Sequence, residues 1–306
     1  MPPFVPLKAT FSICAADVST GEVGCAVQSK YFAVGAVVPW ARAGVGAVAT
    51  QAAGVAAFGP RVLDSLEAGR LLPDALAEAL AGDAGRETRQ LGAVAASGAS
   101  AAHTGADCLH WAGHRVGPGY AVQGNILAGE AVVAGMESAF LATGGSLAER
   151  LVAALEAGQA AGGDVRGQQS AAVVVERAGA AAESREGVDR ICDLRVDDHP
   201  RPIEELRRLL GIHLVWDALR RATAHYEARR WREGAELLRG ALARHGESAP
   251  LLYDLGCFAA LTGARDEALA HIARALALDP ALRESARADG DLAALADDPR
   301  FRELMA

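Results

Sequence analysis

Hydrophobic periodicity changes once along this chain, and the change limits how many folding units it can form. From Thr10 to about Val196, apolar runs of strand length alternate with runs of helical spacing, whereas from Leu206 onward the spacing is helical throughout. The 306 residues therefore divide into a mixed domain over 10–205 and an all-α domain over 206–306, with 1–9 as a leader or propeptide. Half of the residues are apolar, enough for a sizeable core.

In the first region "ATFSICAAD" and "EVGCAVQS" flank a turn at Asp17, Ser19, Thr20 and Gly21, which signals a hairpin. "AVGAVVPWA" and "GVGAVATQAA" read as two further strands. "GPRVLDSLEAG" and "LPDALAEALAG" read as helices, with Pro60 suited to a first turn and Gly69 and Gly82 as stops. More strands follow in "RQLGAVAAS", "SAAHTG" and the Gly-rich "HWAGHRVGPGYAVQGN". Helices over Glu130–Leu141 and Ser146–Ala161 then lead to the strands "SAAVVVERAG" and "ICDLRVD". Strands and helix pairs in this order predict an α+β fold: two stacked antiparallel sheets with helices on both outer sides, a four-layer αββα sandwich.

The second region repeats. "RRWREGAELLRGAL" (Arg229–Leu242) returns as "GARDEALAHIARAL" (Gly263–Leu276) at an offset of 34 residues, aligning Glu233 with Glu267, Leu238 with Ile272 and Ala241 with Ala275. This period resembles a tetratricopeptide repeat, a helix pair that buries its apolar face against the next copy. An all-α, tetratricopeptide-like domain able to dock a protein partner is expected.

A formal net charge of −8 argues against general affinity for nucleic acid or anionic membranes, which need a basic face. No run reaches the roughly 18 apolar residues of a membrane helix, and the N-terminus has no signal-peptide pattern. A soluble cytoplasmic protein is expected. Five widely spaced cysteines without a CxxC fit reduced thiols rather than a disulfide framework or a structural zinc site. Among 30 basic residues only Lys8 and Lys30 are lysines. An ammonium differs from a guanidinium in being able to lose its proton and to act as a compact charge, so Lys30 at a strand end draws notice.

The strings "TFSICAAD", "GAVVPWARAGVGAVATQA", "HTG", "WAG", "YAVQGNILAG", "LAERLVAALEAGQAAGGDVRGQQSA" and "DLRVDDH" span about Thr10 to Leu210. Together they resemble an uncharacterised bacterial domain-of-unknown-function family placed in the N-terminal nucleophile hydrolase superfamily. The resemblance implies the αββα fold and, by superfamily analogy, hydrolysis of an amide bond.

That chemistry uses a residue at the mature N-terminus of the first strand, whose own α-amine takes the proton of its hydroxyl. Thr10 matches the position. Nine residues precede it, so the mechanism requires a cut between Ala9 and Thr10; in the simplest family pattern Thr directly follows the initiator Met. A cation beside the amine would keep it unprotonated, and Lys30 or Arg42 could supply it. Asn125 in "QGN" is the candidate oxyanion donor beside Gly124, or else a cap for the next helix. Ser12 shares the face of Thr10. Gln51, His103 and Thr104 are candidate cleft residues, and Gln169, Asp164 and Arg166 lie in "GGDVRGQQS". The last two form a structural ion pair or a clamp for a substrate carboxylate. "HTGADCLHWAGH" groups His103, Asp107, Cys108, His110 and His114. Gly105 and Gly113 oppose the continuous helix that would align His110 with His114, so no metal and no cofactor are expected.

Two functions follow from these residues. One is a hydrolase of a small amide or peptide with Thr10 as nucleophile. The other is a non-catalytic module or scaffold on the same fold, holding a small ligand while the repeats dock a partner or a second copy of the chain.

Overall fold

The computed structural model describes residues 10–183 and 187–306, with no account of the Glu183 side chain. The leader 1–9, and with it the Ala9–Thr10 bond, lies outside the described residues. The chain divides into two compact units, Met1–Leu210 and Gly211–Ala306.

The first unit runs β1 (Thr10–Asp17), β2 (Glu22–Ser29), β3 (Pro39–Arg42), β4 (Gly46–Ala52), α1 (Phe58–Glu67), α2 (Leu72–Leu80), β5 (Arg89–Ala95), β6 (Ser100–Thr104), β7 (Gly113–Gly117), β8 (Tyr120–Asn125), α3 (Glu130–Ala142), α4 (Leu147–Ala160), β9 (Ser170–Arg177), α5 (Ala180–Glu183), β10 (Arg190–Val196) and α6 (Pro202–Glu227). The division between the units falls inside α6, five residues beyond the expected boundary. Two antiparallel sheets result, in the orders β10-β9-β2-β1-β8-β7 and β3-β4-β5-β6.

Period-2 alternation sorts the strands into faces. Cys14, Cys25 and Val27 of the larger sheet meet Ala47, Ala49 and Val94 of the smaller one, so these faces form the inner core. On the outer side of the smaller sheet, Val48, Leu91 and Ala93 pack with Phe58, Val62 and Leu72 of α1 and α2. On the outer side of the larger sheet, Phe11 and Leu151 reach Gly158 and Gly24, tying α4 to β1 and β2. Both faces of each sheet are covered, which is why the strands read as nearly continuous apolar runs. A capping box, in which Ser146 and Glu149 satisfy each other's backbone N–H groups, fixes the start of α4.

One expected strand is different. "AVGAVVPWA" folds as a 3-10 turn over Val34–Ala36 before the short β3. Ala33 adopts φ 52°, which breaks the extended run, and the Val34 N–H donates to the Ser170 hydroxyl at 3.1 Å.

The second unit continues from α6 through α7 (Trp231–His245), α8 (Ala249–Leu261), α9 (Arg265–Leu278), α10 (Leu282–Ala288) and α11 (Pro299–Met305). Ala218 and Leu219 of α6, Leu238 of α7 and Leu255 of α8 share one apolar cluster. Ala260 of α8, Ile272 of α9, Ala286 of α10 and Phe301 of α11 share the next. Among the described residues, no helix is long and apolar enough to cross a membrane.

Candidate active site

Eight polar side chains gather between the sheets at one end, and the strand period explains how. On the inner faces, the rows that carry Cys14, Cys25, Ala49, Gly92 and Ala121 continue outward to polar residues. These are Ser12 and Thr10 on β1, Ser29 on β2, Gln51 on β4, Gln90 on β5, Thr104 on β6, and Gln123 and Asn125 on β8. The register sets Thr10 directly opposite Ser29 on one side and Asn125 on the other.

All but Thr104 are buried, so their polar atoms require partners. The Thr10 hydroxyl donates to the Ser29 hydroxyl at 3.2 Å. Ser12 donates to Gln51 Oε1 and accepts from Gln123 Nε2, both at 2.6 Å. Gln51 Nε2 donates to Gln90 Oε1 at 2.8 Å and to the Thr10 carbonyl at 3.2 Å. Gln90 Oε1 also accepts from Asn125 Nδ2 at 2.9 Å. Gln90 Nε2 donates to the Gly124 carbonyl at 2.8 Å, to Thr104 Oγ1 at 3.0 Å and to the Gly113 carbonyl at 3.2 Å. Thr104 in turn meets His114 Nδ1 at 2.9 Å, and burial, with His103 nearby, lowers the imidazole pKa. The network joins both sheets around Thr10.

Gly92 makes room for it. A Cβ there would stand 1.8 Å from Gln123 Oε1, so only glycine lets that carboxamide lie between the sheets. Two backbone outliers flank the same end: Ala52, after Gln51, has φ 64°, and Ile126, after Asn125, has φ 53°. A left-handed β-branched residue is strained, and its neighbours pin it. The Ile126 N–H donates to the Leu109 carbonyl and its own carbonyl accepts from Val165.

Asp164 stands beside this end, buried and opposite Leu127. Its carboxylate accepts from the Lys30 backbone N–H at 3.2 Å and from the Arg166 guanidinium and backbone N–H. The Asp164–Arg166 pair is thus an ion pair within the fold of the loop. The Gln169 side chain donates to Asp198, while its backbone N–H donates to the Ser29 carbonyl.

The two candidate cations, Lys30 and Arg42, and the expected cleft residue His103 place their side chains elsewhere. Lys30 is exposed and its ammonium donates to the Gln168 carbonyl at 3.2 Å, because the residue stands one step past the end of β2. Arg42 pairs with Gly46, five residues along β4 from Gln51, and its guanidinium is held by Asp64 and Glu67 of α1. That is about 17 Å of strand away from the network. His103 neighbours Thr104 in β6 and so faces the opposite side, where its Nε2 meets the Arg86 carbonyl at 3.1 Å. Gly124 contributes its carbonyl. Ser29, Gln90 and Gln123 are not among the expected site residues; only Gln123 carried a signal, its spacing of two from Asn125 in β8.

The model of a family of unknown function, DUF1028, matches residues 10–206. The chain belongs to the DUF1028 family. The chain is similar to the crystal structure of protein SPO2555 from Silicibacter pomeroyi, itself described as matching the DUF1028 model. The two are 33% identical, with a TM-score of 0.60 over 66% of this chain and 84% of that one. Comparison with curated proteins gave no match.

The DUF1028 span stops at residue 206, so the helices of the second unit follow it. They contain a separate cavity of about 170 Å³, lined in part by Tyr226, Tyr253, Asp254, Cys257, Asp289 and Asp291. Ligand-capable atoms of Cys257, Asp289 and Asp291 lie within 4.8 Å of one another. Burial, with Asp289 and Asp291 nearby, pushes the Asp254 carboxyl up to about 6, and burial with the same carboxylates pushes the Cys257 thiol far up.

Proposed function

We propose that the DUF1028 unit is an amide-bond hydrolase of the N-terminal nucleophile class, with Thr10 as nucleophile and a small amide or peptide as substrate. The observation that carries this reading is the setting of Thr10 in β1: hydroxyl held by Ser29, Asn125 directly opposite, inside a network of buried carboxamides from both sheets. The order of helices, sheet, sheet, helices is that of the superfamily, which supports the reading by analogy of fold.

Cleavage of the Ala9–Thr10 bond would free the Thr10 α-amine. That amine removes the proton from Oγ1, and Oγ1 bonds to the substrate carbonyl carbon. The tetrahedral oxyanion accepts from the Asn125 amide, one of whose N–H groups is held by Gln90. The C–N bond then breaks as the ammonium passes its proton to the leaving nitrogen, and water hydrolyses the ester on Thr10. This donor is fixed before substrate arrives, and fixed donors are where such sites gain most of their rate. Ser12, which already donates and accepts at 2.6 Å, supports the network rather than attacking.

For the second unit we propose tetratricopeptide-like helix pairs that dock a protein partner. α7 and α9 begin 34 residues apart, at Trp231 and Arg265. Gly234 and Gly256 pack against Phe258 and Ile272, respectively, at close helix contacts.

The test is hydrolysis of a panel of aminoacyl p-nitroanilides by the purified full chain. Thr10→Ala abolishes turnover, while Thr10→Ser retains part of it. Turnover undiminished in Thr10→Ala contradicts the assignment.

A further inference from the structure

We propose that Gln90 is a positioning residue for this chemistry: it fixes the orientation of the Asn125 carboxamide, so that nitrogen rather than oxygen is the group held inward. The inference rests on the Thr10 reading above. A carboxamide can turn by 180° with almost no change of shape, exchanging its donor and acceptor ends, and only the surrounding hydrogen bonds decide between the two.

At Gln90 that decision is made by the backbone. Its Nε2 faces the carbonyls of Gly124 and Gly113, which can only accept, and Thr104 Oγ1. Its Oε1 must therefore face the other way, toward Asn125 and Gln51, and each of those side chains meets it with an N–H. Turning Asn125 would set two oxygens against each other in a fully buried setting, a clash that burial makes costly. Turning Gln51 would do the same. It would also face its nitrogen toward the Ser12 hydroxyl that now donates to its oxygen. Polarity thus passes from two backbone carbonyls through Gln90 to Asn125 on one side and to Gln51 and Ser12 on the other. Gln90 touches no substrate; it keeps a donor, not an acceptor, at the residue opposite Thr10.

The experiment uses a β-lactone as an acylating probe on the purified full chain. Thr10 Oγ1 bonds to the lactone carbonyl carbon and the ring acyl C–O bond breaks. The released alkoxide takes the proton that the Thr10 amine removed, so the adduct gains the whole lactone mass. Mass spectrometry with peptide mapping gives the maximal acylation rate and the half-saturating lactone concentration. Gln90→Met is expected to lower the maximal rate roughly tenfold or more, with half-saturation unchanged within about twofold. In an Asn125→Ala background the same substitution is expected to add less than about a twofold loss, because the two residues act as one unit.

An unchanged rate in Gln90→Met, or an equal loss in both backgrounds, overturns the positioning role and leaves the nucleophile assignment standing. A wild-type chain that forms no adduct at Thr10 overturns that assignment, and the role of Gln90 with it. If Gln90→Met does not fold, the wild-type protein still decides. A scalar coupling across the hydrogen bond from the Asn125 side-chain amide to the Gln90 side-chain carbonyl supports the inference, and its absence overturns it.

Discussion

The Thr10 hydroxyl donates to the Ser29 hydroxyl at 3.2 Å across the β1–β2 pair, where the two residues stand directly opposite each other. Both are fully buried. Ser29→Ala removes that acceptor from a buried site, and the expected cost is about 1–2 kcal/mol in urea unfolding. Slower β-lactone acylation of Thr10 is expected with it. Ser29→Thr, which keeps a hydroxyl, should recover part of both. Acylation at the wild-type rate in Ser29→Ala would remove Ser29 from the account.

Gly92 is where the two sheets approach through Gln123. Gly92→Ala sets a methyl group on Gln123 Oε1 and forces the carboxamide away from Ser12. Overpacking of this kind costs about 1–3 kcal/mol. Chemical denaturation measures it, and a loss below about 0.5 kcal/mol would mean that the strands separate easily at this point.

Lys30 and Arg42 serve as opposite controls. The Lys30 ammonium reaches the Gln168 carbonyl at the surface, and Arg42 is held by Asp64 and Glu67 near the far end of β4. Lys30→Met and Arg42→Gln should each cost at most about 1 kcal/mol. Both should acylate Thr10 within about twofold of the wild-type rate. A tenfold loss in Lys30→Met would restore the ammonium as a charge acting on the Thr10 amine.

In the second unit Asp254 titrates at about 6, above the ordinary carboxylate range. The folded protein therefore binds its proton more tightly than the unfolded chain does. The stability that Asp254 contributes is fully present below about pH 4, is lost as pH rises from about 4 to 6, and changes no further above that. The shift corresponds to a loss on the order of 3 kcal/mol. Asp254→Asn should raise stability at pH 7 and flatten this part of the curve, measured by thermal unfolding of the full chain at a series of pH values. An unchanged slope would assign the pH dependence to other groups.

Much of the fold was legible because period and punctuation agree. "EVGCAVQS" is β2 residue for residue, and α1 and α3 begin within about one residue of expectation. "AVGAVVPWA" was not legible, since the left-handed turn at Ala33 is imposed by packing against Ser170 and Ala172 rather than by local composition.

At the site, Thr10, Ser12, Gln51, Thr104 and Asn125 were within reach of sequence reasoning. Ser29 and Gln90 were not, because a strand covered on both faces hides which of its few polar residues turns inward until its partner strand is known, whereas Gln123 follows from its spacing of two from Asn125. The opposite faces of His103 and Thr104 follow from the strand period alone.

The central claim is that Thr10 acts as a nucleophile with a free amine, and the mature N-terminus tests it most directly. Intact-mass and N-terminal sequencing of the purified protein should find a chain that begins at Thr10. The Thr10→Ala variant distinguishes self-cleavage from cleavage by a protease. A fully active protein that still carries Ala9 joined to Thr10 would contradict the account.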